Sequence, residues 1–137
     1  MRRMLLALLI ALMNGGGLAA ADSKSEIRIE PRIEDALKRI DLADRLEQVC
    51  DYAAAKRIGL DRNAYHPDRA VIDSISPFKI EGDTIKGDGG AFRSKGEWYQ
   101  FSFTCKTTPD RLKILSFDYH VGERIPEDKW DEYGLWR

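Results

Sequence analysis

Two cysteines, Cys50 and Cys105, each fall in phase with a different hydrophobic repeat, and this constrains the fold more than any other feature of the chain. From Trp98 to Lys106 the residues alternate as a strand does. Tyr99, Phe101, Phe103 and Cys105 share one face, and Trp98, Gln100, Ser102, Thr104 and Lys106 share the other. Around Cys50 the repeat is helical, with Leu42, Leu46, Val49 and Ala53 on one stripe and Cys50 beside it. One sulfur on the apolar face of a strand and one on the apolar flank of a helix point into the same core. A helix laid on that sheet face closes a Cys50–Cys105 disulfide, the alternative being two buried free thiols. Two thiols cannot complete a four-ligand zinc site, and they are not spaced as a redox Cys-x-x-Cys.

The rest of the chain reads as helices first and strands afterwards. Asp22 to Arg32 is a polar leader in which Ile27 and Ile29 alternate with charges, as in an edge strand. Pro31 opens a short helix carrying Ile33, Leu37 and Ile40. Asp41 caps a longer helix, with Asp44 at the capping-box position, and that helix runs to about Ile58 and stops at Gly59. Its Asp44, Arg45, Glu47, Gln48 and Asp51 are assigned to solvent. Of 13 aromatic residues, 12 lie beyond residue 64, where the period changes to that of strands. Strands are expected over Ala70–Ile75, Phe78–Lys86, Ala91–Arg93, Trp98–Lys106 and Leu112–Val121, with Gly87–Gly90 as a turn or bulge and Ser94–Glu97 as a hairpin connection. In the last strand Leu115, Phe117, Tyr119 and Val121 share a face opposite Ser116, Asp118 and His120. Pro126 and Gly134 bracket a short C-terminal helix. The expected fold is α+β: a helix or helix pair on a curved antiparallel sheet of about four strands, a short C-terminal helix and one disulfide, all within residues 33–137.

Residues 1–21 read as an export signal. Met1-Arg2-Arg3 is a basic start, Met4–Met13 is an uncharged apolar run, and Leu18–Ala21 offers small residues for cleavage before Asp22. A run of ten residues is about half the ~20 needed to span a bilayer. No cysteine follows it for lipid attachment. Loss of Arg2 and Arg3 leaves 20 basic against 23 acidic residues, a formal charge of −3 in place of −1. Such a domain has no basic footprint for nucleic acid, and no later segment is apolar enough to cross a membrane. The expectation is a periplasmic protein without a membrane span after cleavage.

No catalytic, cofactor or metal signature stands out. Gly87–Gly90 is followed by neither Gly-Lys-Ser/Thr nor a helix, so it is no phosphate loop. No serine sits in a Gly-x-Ser-x-Gly elbow. Asp118 and His120 place a carboxylate and an imidazole on one strand face, where His66 and Asp68 would have to join them to form a metal or acid–base site. Trp130, Tyr133, Leu135 and Trp136 crowd the C-terminus, either filling a groove of the domain itself or forming a stacking platform for a ligand. The surface candidates are thus His66, Asp118, His120, Trp130 and Trp136.

Several stretches together are similar to the Gram-negative family designated domain of unknown function 930. They are Arg45-Leu46-Glu47-Gln48 with Cys50-Asp51, His66-Pro67-Asp68-Arg69-Ala70-Val71, Ala91-Phe92-Arg93-Ser94, Phe101–Cys105, Leu115-Ser116-Phe117, Ile125–Asp128, and Trp130 with Glu132–Arg137. The resemblance covers roughly residues 37–137. Where the family pattern tends to have Asp-Pro before the helix, this chain has Asp41-Leu42, which keeps the cap and loses the rigid first residue. The resemblance implies an exported domain and brings no activity, substrate or catalytic residues. The functional expectation is a non-enzymatic binding or interaction module of the cell envelope, taking an envelope protein or a small ligand and no cofactor. The alternatives are a small periplasmic hydrolase using Asp118 and His120, or an inhibitor of a basic hydrolase.

Overall fold

The computed structural model describes residues 26–137; the expected signal and the start of the leader lie outside them. Two helices, α1 (Pro31–Leu37) and α2 (Leu42–Leu60), precede five strands, β1 (Pro67–Val71), β2 (Lys79–Glu81), β3 (Thr84–Ser94), β4 (Glu97–Thr107) and β5 (Ile114–Arg124). The strands form one open antiparallel sheet in the order β1-β3-β4-β5, with β2 also paired to β3. The α+β reading therefore stands, with β2 as a short fifth strand. Among the described residues no helix is long and apolar enough to cross a membrane.

Helix α2 buries Leu46, Val49, Cys50, Ala53, Ala54 and Ile58 against Ile85, Phe92, Phe101, Phe103, Cys105 and Phe117 of the sheet. The Cys50–Cys105 disulfide crosses this interface with the two Cα atoms 6.0 Å apart. Asp41 caps α2, its Oδ1 accepting from the N–H groups of Ala43 and Asp44 at 3.1 Å. The helix passes through Gly59, contrary to the expected stop, and ends at Leu60. Its last turn is closed by the Asn63 side chain, whose Nδ2 donates to the Ile58 carbonyl at 3.1 Å. Leu42, expected on the buried stripe, is 50% exposed.

Two side chains assigned to water in fact carry structure. Arg45 donates through Nε to Leu37 O (2.9 Å), through Nη2 to Ile40 O (3.0 Å) and through Nη1 to Asp110 O (2.9 Å). One guanidinium thus satisfies the open carbonyls at the end of α1 and ties them to the β4–β5 loop. Asp51 accepts from the Ile72 N–H at 2.9 Å. Burial, opposed by that hydrogen bond and reinforced by Glu47 and Asp73, pushes its carboxyl up to about 7. The described part of the leader, from Glu26 on, forms no strand, yet Ile27 is buried in the main core and Tyr52 donates to Arg28 O at 3.3 Å.

The glycine run is a bulge within β3: the register with β4 shifts between Gly87 and Gly90. It needs glycine for lack of room. A Cβ on Gly90 would lie 2.6 Å from the Phe101 ring, and one on Gly89 would lie 2.3 Å from the Ser76 amide nitrogen. The close approach at Gly89 lets Ile75 N donate to Gly89 O at 2.8 Å, so the chain turns away after Val71 and the expected strand to Ile75 ends early. Lys95 and Gly96, with φ of 51° and 77°, make the tight β3–β4 hairpin.

A second bulge, between Lys106 and Thr107 opposite Ile114, breaks the alternation assigned to β5. Ile114 and Phe117 point inward and Leu115 is 58% exposed. The C-terminal helix is reduced to a single 3-10 turn over Glu127–Lys129, and Gly134 turns the chain with φ 68°. This segment folds onto the sheet face opposite α2. There Trp130 and Leu135 join Ala91, Trp98 and Ile125 in a separate small core, with Ile75 and Tyr133 packed against it. Trp98, placed by alternation on the polar face, is on that face and fully buried.

Candidate functional site

The outer face of the sheet has two halves. Over Ala91 and Trp98 it is filled by the C-terminal segment. Over the other half none of the described residues covers it, and the register decides which side chains meet there. Lys79 lies opposite Lys86, Lys86 opposite Thr104, and Thr104 opposite Asp118, so one row crosses four strands. Ser102 lies opposite His120 in a neighbouring row. With Pro77, Glu81 and Asp88 these residues line a groove of about 550 Å³, a volume in the range that holds a small molecule. Asp88 is steadied by the Ser76 hydroxyl, which donates to it at 3.1 Å.

Asp118 and His120 thus occupy the exposed polar face expected of them. Ser102 is the residue that sequence reasoning passed over, because only strand register sets it opposite His120. Ser102 and His120 are cross-strand neighbours on this face without a direct hydrogen bond between them.

His66 does not join this group. It sits where β1 begins, its N–H donating to Ser94 Oγ at 2.8 Å, beside the β3–β4 hairpin. Ser102 lies five positions along β4 from Glu97, the partner of Ser94, a run of roughly 17 Å along the strand. Asp68 is engaged as well, accepting from Arg93 Nε and Nη2 at 2.9 and 2.8 Å. The guanidinium holds the Asp68 carboxyl below its ordinary value. Among the described residues no three His, Cys, Asp or Glu side chains gather as a metal cluster.

The two tryptophan candidates separate. Trp130 is 6% exposed and donates from Nε1 to Ile125 O at 3.0 Å, so its rings fill the outer core and offer no platform. Trp136 remains 45% exposed. Its ring meets Trp98 edge-on at 5.3 Å, and its carbonyl accepts from Trp98 Nε1 at 2.7 Å. Arg93 lies 5.8 Å from the Trp98 ring and 5.9 Å from that of Trp136, so the cation braces both indoles.

At the edge of the groove, Tyr119 donates to Asp61 at 2.6 Å, and Asn63 Nδ2 lies 3.4 Å from the same hydroxyl. Burial first and Asp61 second push the Tyr119 phenol up to about 12. It is therefore a fixed hydrogen-bond donor that locks β5 to the end of α2, not an acid for chemistry near neutral pH.

No curated protein and no solved structure matches the chain. The family model described as Domain of Unknown Function (DUF930) matches residues 37–135, from the end of α1 through the outer-face core. On that match the chain belongs to the DUF930 family.

Proposed function

We propose that this protein is an exported, non-enzymatic binding module of the cell envelope and that the open groove is its binding site. One observation carries the reading. The same sheet face is sealed over Trp98 by buried aromatics and, among the described residues, left open over Lys79, Lys86, Ser102, Thr104, Asp118 and His120, where polar groups from four strands converge. Exposed sheet is ordinarily featureless, and convergent polar groups in a groove of ligand size are the usual mark of a binding surface. Export is supported by the basic, apolar and small-residue succession of residues 1–21 and by a disulfide, which persists in oxidising compartments. Native mass spectrometry of protein purified from a periplasmic fraction tests both parts. The chain is expected to begin at Asp22 and to carry a small ligand that Ser102→Trp, which fills the groove, displaces. A cytoplasmic chain beginning at Met1, or a ligand indifferent to Ser102→Trp, would overturn the corresponding part.

A hydrolase using Asp118 and His120 is the second reading, and the register that sets Ser102 opposite His120 is the observation in its favour. It predicts turnover of ester or glycosidic substrates that His120→Gln abolishes. Turnover unaffected by that substitution would eliminate it.

A further inference from the structure

The groove contains an arrangement that folding alone does not favour. Lys79 and Lys86 are direct cross-strand partners on the same face, which brings their Cβ atoms to roughly 5 Å. Like charges directly opposite each other destabilise a sheet. Among the described residues neither ammonium group has an ion-pair or hydrogen-bond partner. Of the other described lysines, Lys38, Lys56 and Lys129 lie against glutamates at 2.7–3.3 Å, and Lys95, Lys106 and Lys113 stand unpaired but face no second lysine across a strand. Three carboxylates, Glu81, Asp88 and Asp118, also line the groove, and none bridges the two lysines.

The chain as a whole is slightly acidic, with a formal charge of −1. A doubled positive charge held open in its groove is therefore a local feature and not part of a general basic surface. Beside it stand neutral donors, the Thr104 hydroxyl opposite Lys86 and the Ser102 hydroxyl next along the same face of β4. Two cations one strand apart, with hydroxyls alongside, match an anionic group that has two or more oxygens to share between them.

We propose that Lys79 and Lys86 anchor a small oxyanion, a phosphate or carboxylate group carried by the ligand of this groove. The inference rests on the groove being the binding site and adds the chemical class of what it binds. Thr104 and Ser102 donate to the remaining oxygens, and the rest of the ligand extends toward Asp118 and His120. The lysine pair costs some stability in the empty protein, and the anion repays it on binding.

The test is a titration of the mature protein with inorganic phosphate and, separately, with acetate, followed by amide chemical shifts, with sodium chloride at matched ionic strength as control. Saturable shifts are expected at residues 79, 86 and 102–104 with at least one of the two anions, and the anion that saturates tells a phosphate from a carboxylate ligand. The pair Lys79→Gln/Lys86→Gln should weaken binding by at least tenfold per lysine, as loss of a charge-assisted hydrogen bond does. Lys86→Arg, which keeps the charge, should retain it. The empty Gln pair should melt no lower than wild type, since a repulsion is removed. Shifts that only track ionic strength, or binding unchanged in the Gln pair, would overturn the proposal. If a natural ligand is still displaced by Ser102→Trp while neither anion binds, the anion class falls and the groove stands. If Ser102→Trp displaces nothing, the groove itself falls.

Discussion

Strand β4 presents one outer face with two fates. At its start Trp98 is wholly buried beneath Trp130 and Leu135, while a few residues on Ser102, Thr104 and Lys106 remain at the surface. The local backbone is the same in both halves, and so is the alternation. What differs is a segment about thirty residues downstream, which returns to cover one half and stops short of the other. Alternation tells which side of a sheet a residue faces; it is silent on whether another part of the chain will cover that side. The covered half contributes stability. The open half leaves Lys79 and Lys86 facing each other without an ion-pair partner among the described residues, and that is where a ligand has something to gain.

The contrast is broken most severely by deleting residues 126–137. Each buried ring or leucine removed forfeits roughly 2 kcal/mol, and Trp98 is laid bare as well. A truncated chain is expected to aggregate or lose its near-UV circular dichroism. If it stays monomeric and melts as before, the outer core is not a core. The inner face offers the next largest effect. Cys50→Ala with Cys105→Ser opens a link between residues 55 apart in sequence, worth about 4 kcal/mol on the loop-entropy account. Urea midpoints would measure it. Free thiols titrated in the folded wild-type protein would contradict the bridge outright.

A subtler probe of the inner face is Asp51. Its carboxyl sits near 7 in the folded protein against an ordinary value of 3.8. The folded state therefore holds this proton more tightly than the unfolded chain does. The associated stability is fully present below about pH 4, is lost as pH rises towards 7, and changes no further above that. Asp51→Asn keeps an acceptor for the Ile72 N–H and carries no proton to lose. Its stability relative to wild type should accordingly be higher at pH 8 than at pH 5. A parallel pH dependence in the two proteins would mean that Asp51 is ionised throughout.

The smallest effect belongs to the open half. Asp118→Asn with His120→Gln should shift stability by no more than about 0.5 kcal/mol, as exposed strand positions do. A zinc-dependent rise in melting temperature, abolished by His120→Gln, would instead restore a metal site to this face.

Much of the architecture was legible in the chain, because it depends on neighbours in sequence. The Asp41 cap, the 3.6-residue stripe from Leu46 to Ala53, the alternation from Tyr99 to Cys105 and the Lys95-Gly96 turn are all short-range patterns. Two of them together predicted the Cys50–Cys105 bridge. The same reasoning failed where a single inserted residue changed the phase. The bulge at Thr107 turned Leu115 outward, and no local pattern announces a bulge that lacks glycine. It failed also where a polar residue found a distant partner. Arg45, a charged residue off the apolar stripe, is assigned to solvent, yet it serves carbonyls at Leu37, Ile40 and Asp110.

The candidate site was legible only in part. Asp118 and His120 could be placed on a polar strand face, since a period of two requires it. That Ser102 stands opposite His120, that Lys79 stands opposite Lys86, and that His66 and Asp68 lie towards the other end of the sheet are facts of register. Register joins residues far apart in sequence, and it is set by which hydrophobic faces must coincide over the whole sheet. Trp130 and Trp136 make the point within a single segment. Composition alone made both of them aromatics in search of cover, and the return of the chain across Ala91 and Trp98 buried one and left the other half in water. Local periodicity is short-range and can be read from residues a few places apart, whereas cover depends on where remote segments come to rest, which the free energy of the whole fold selects.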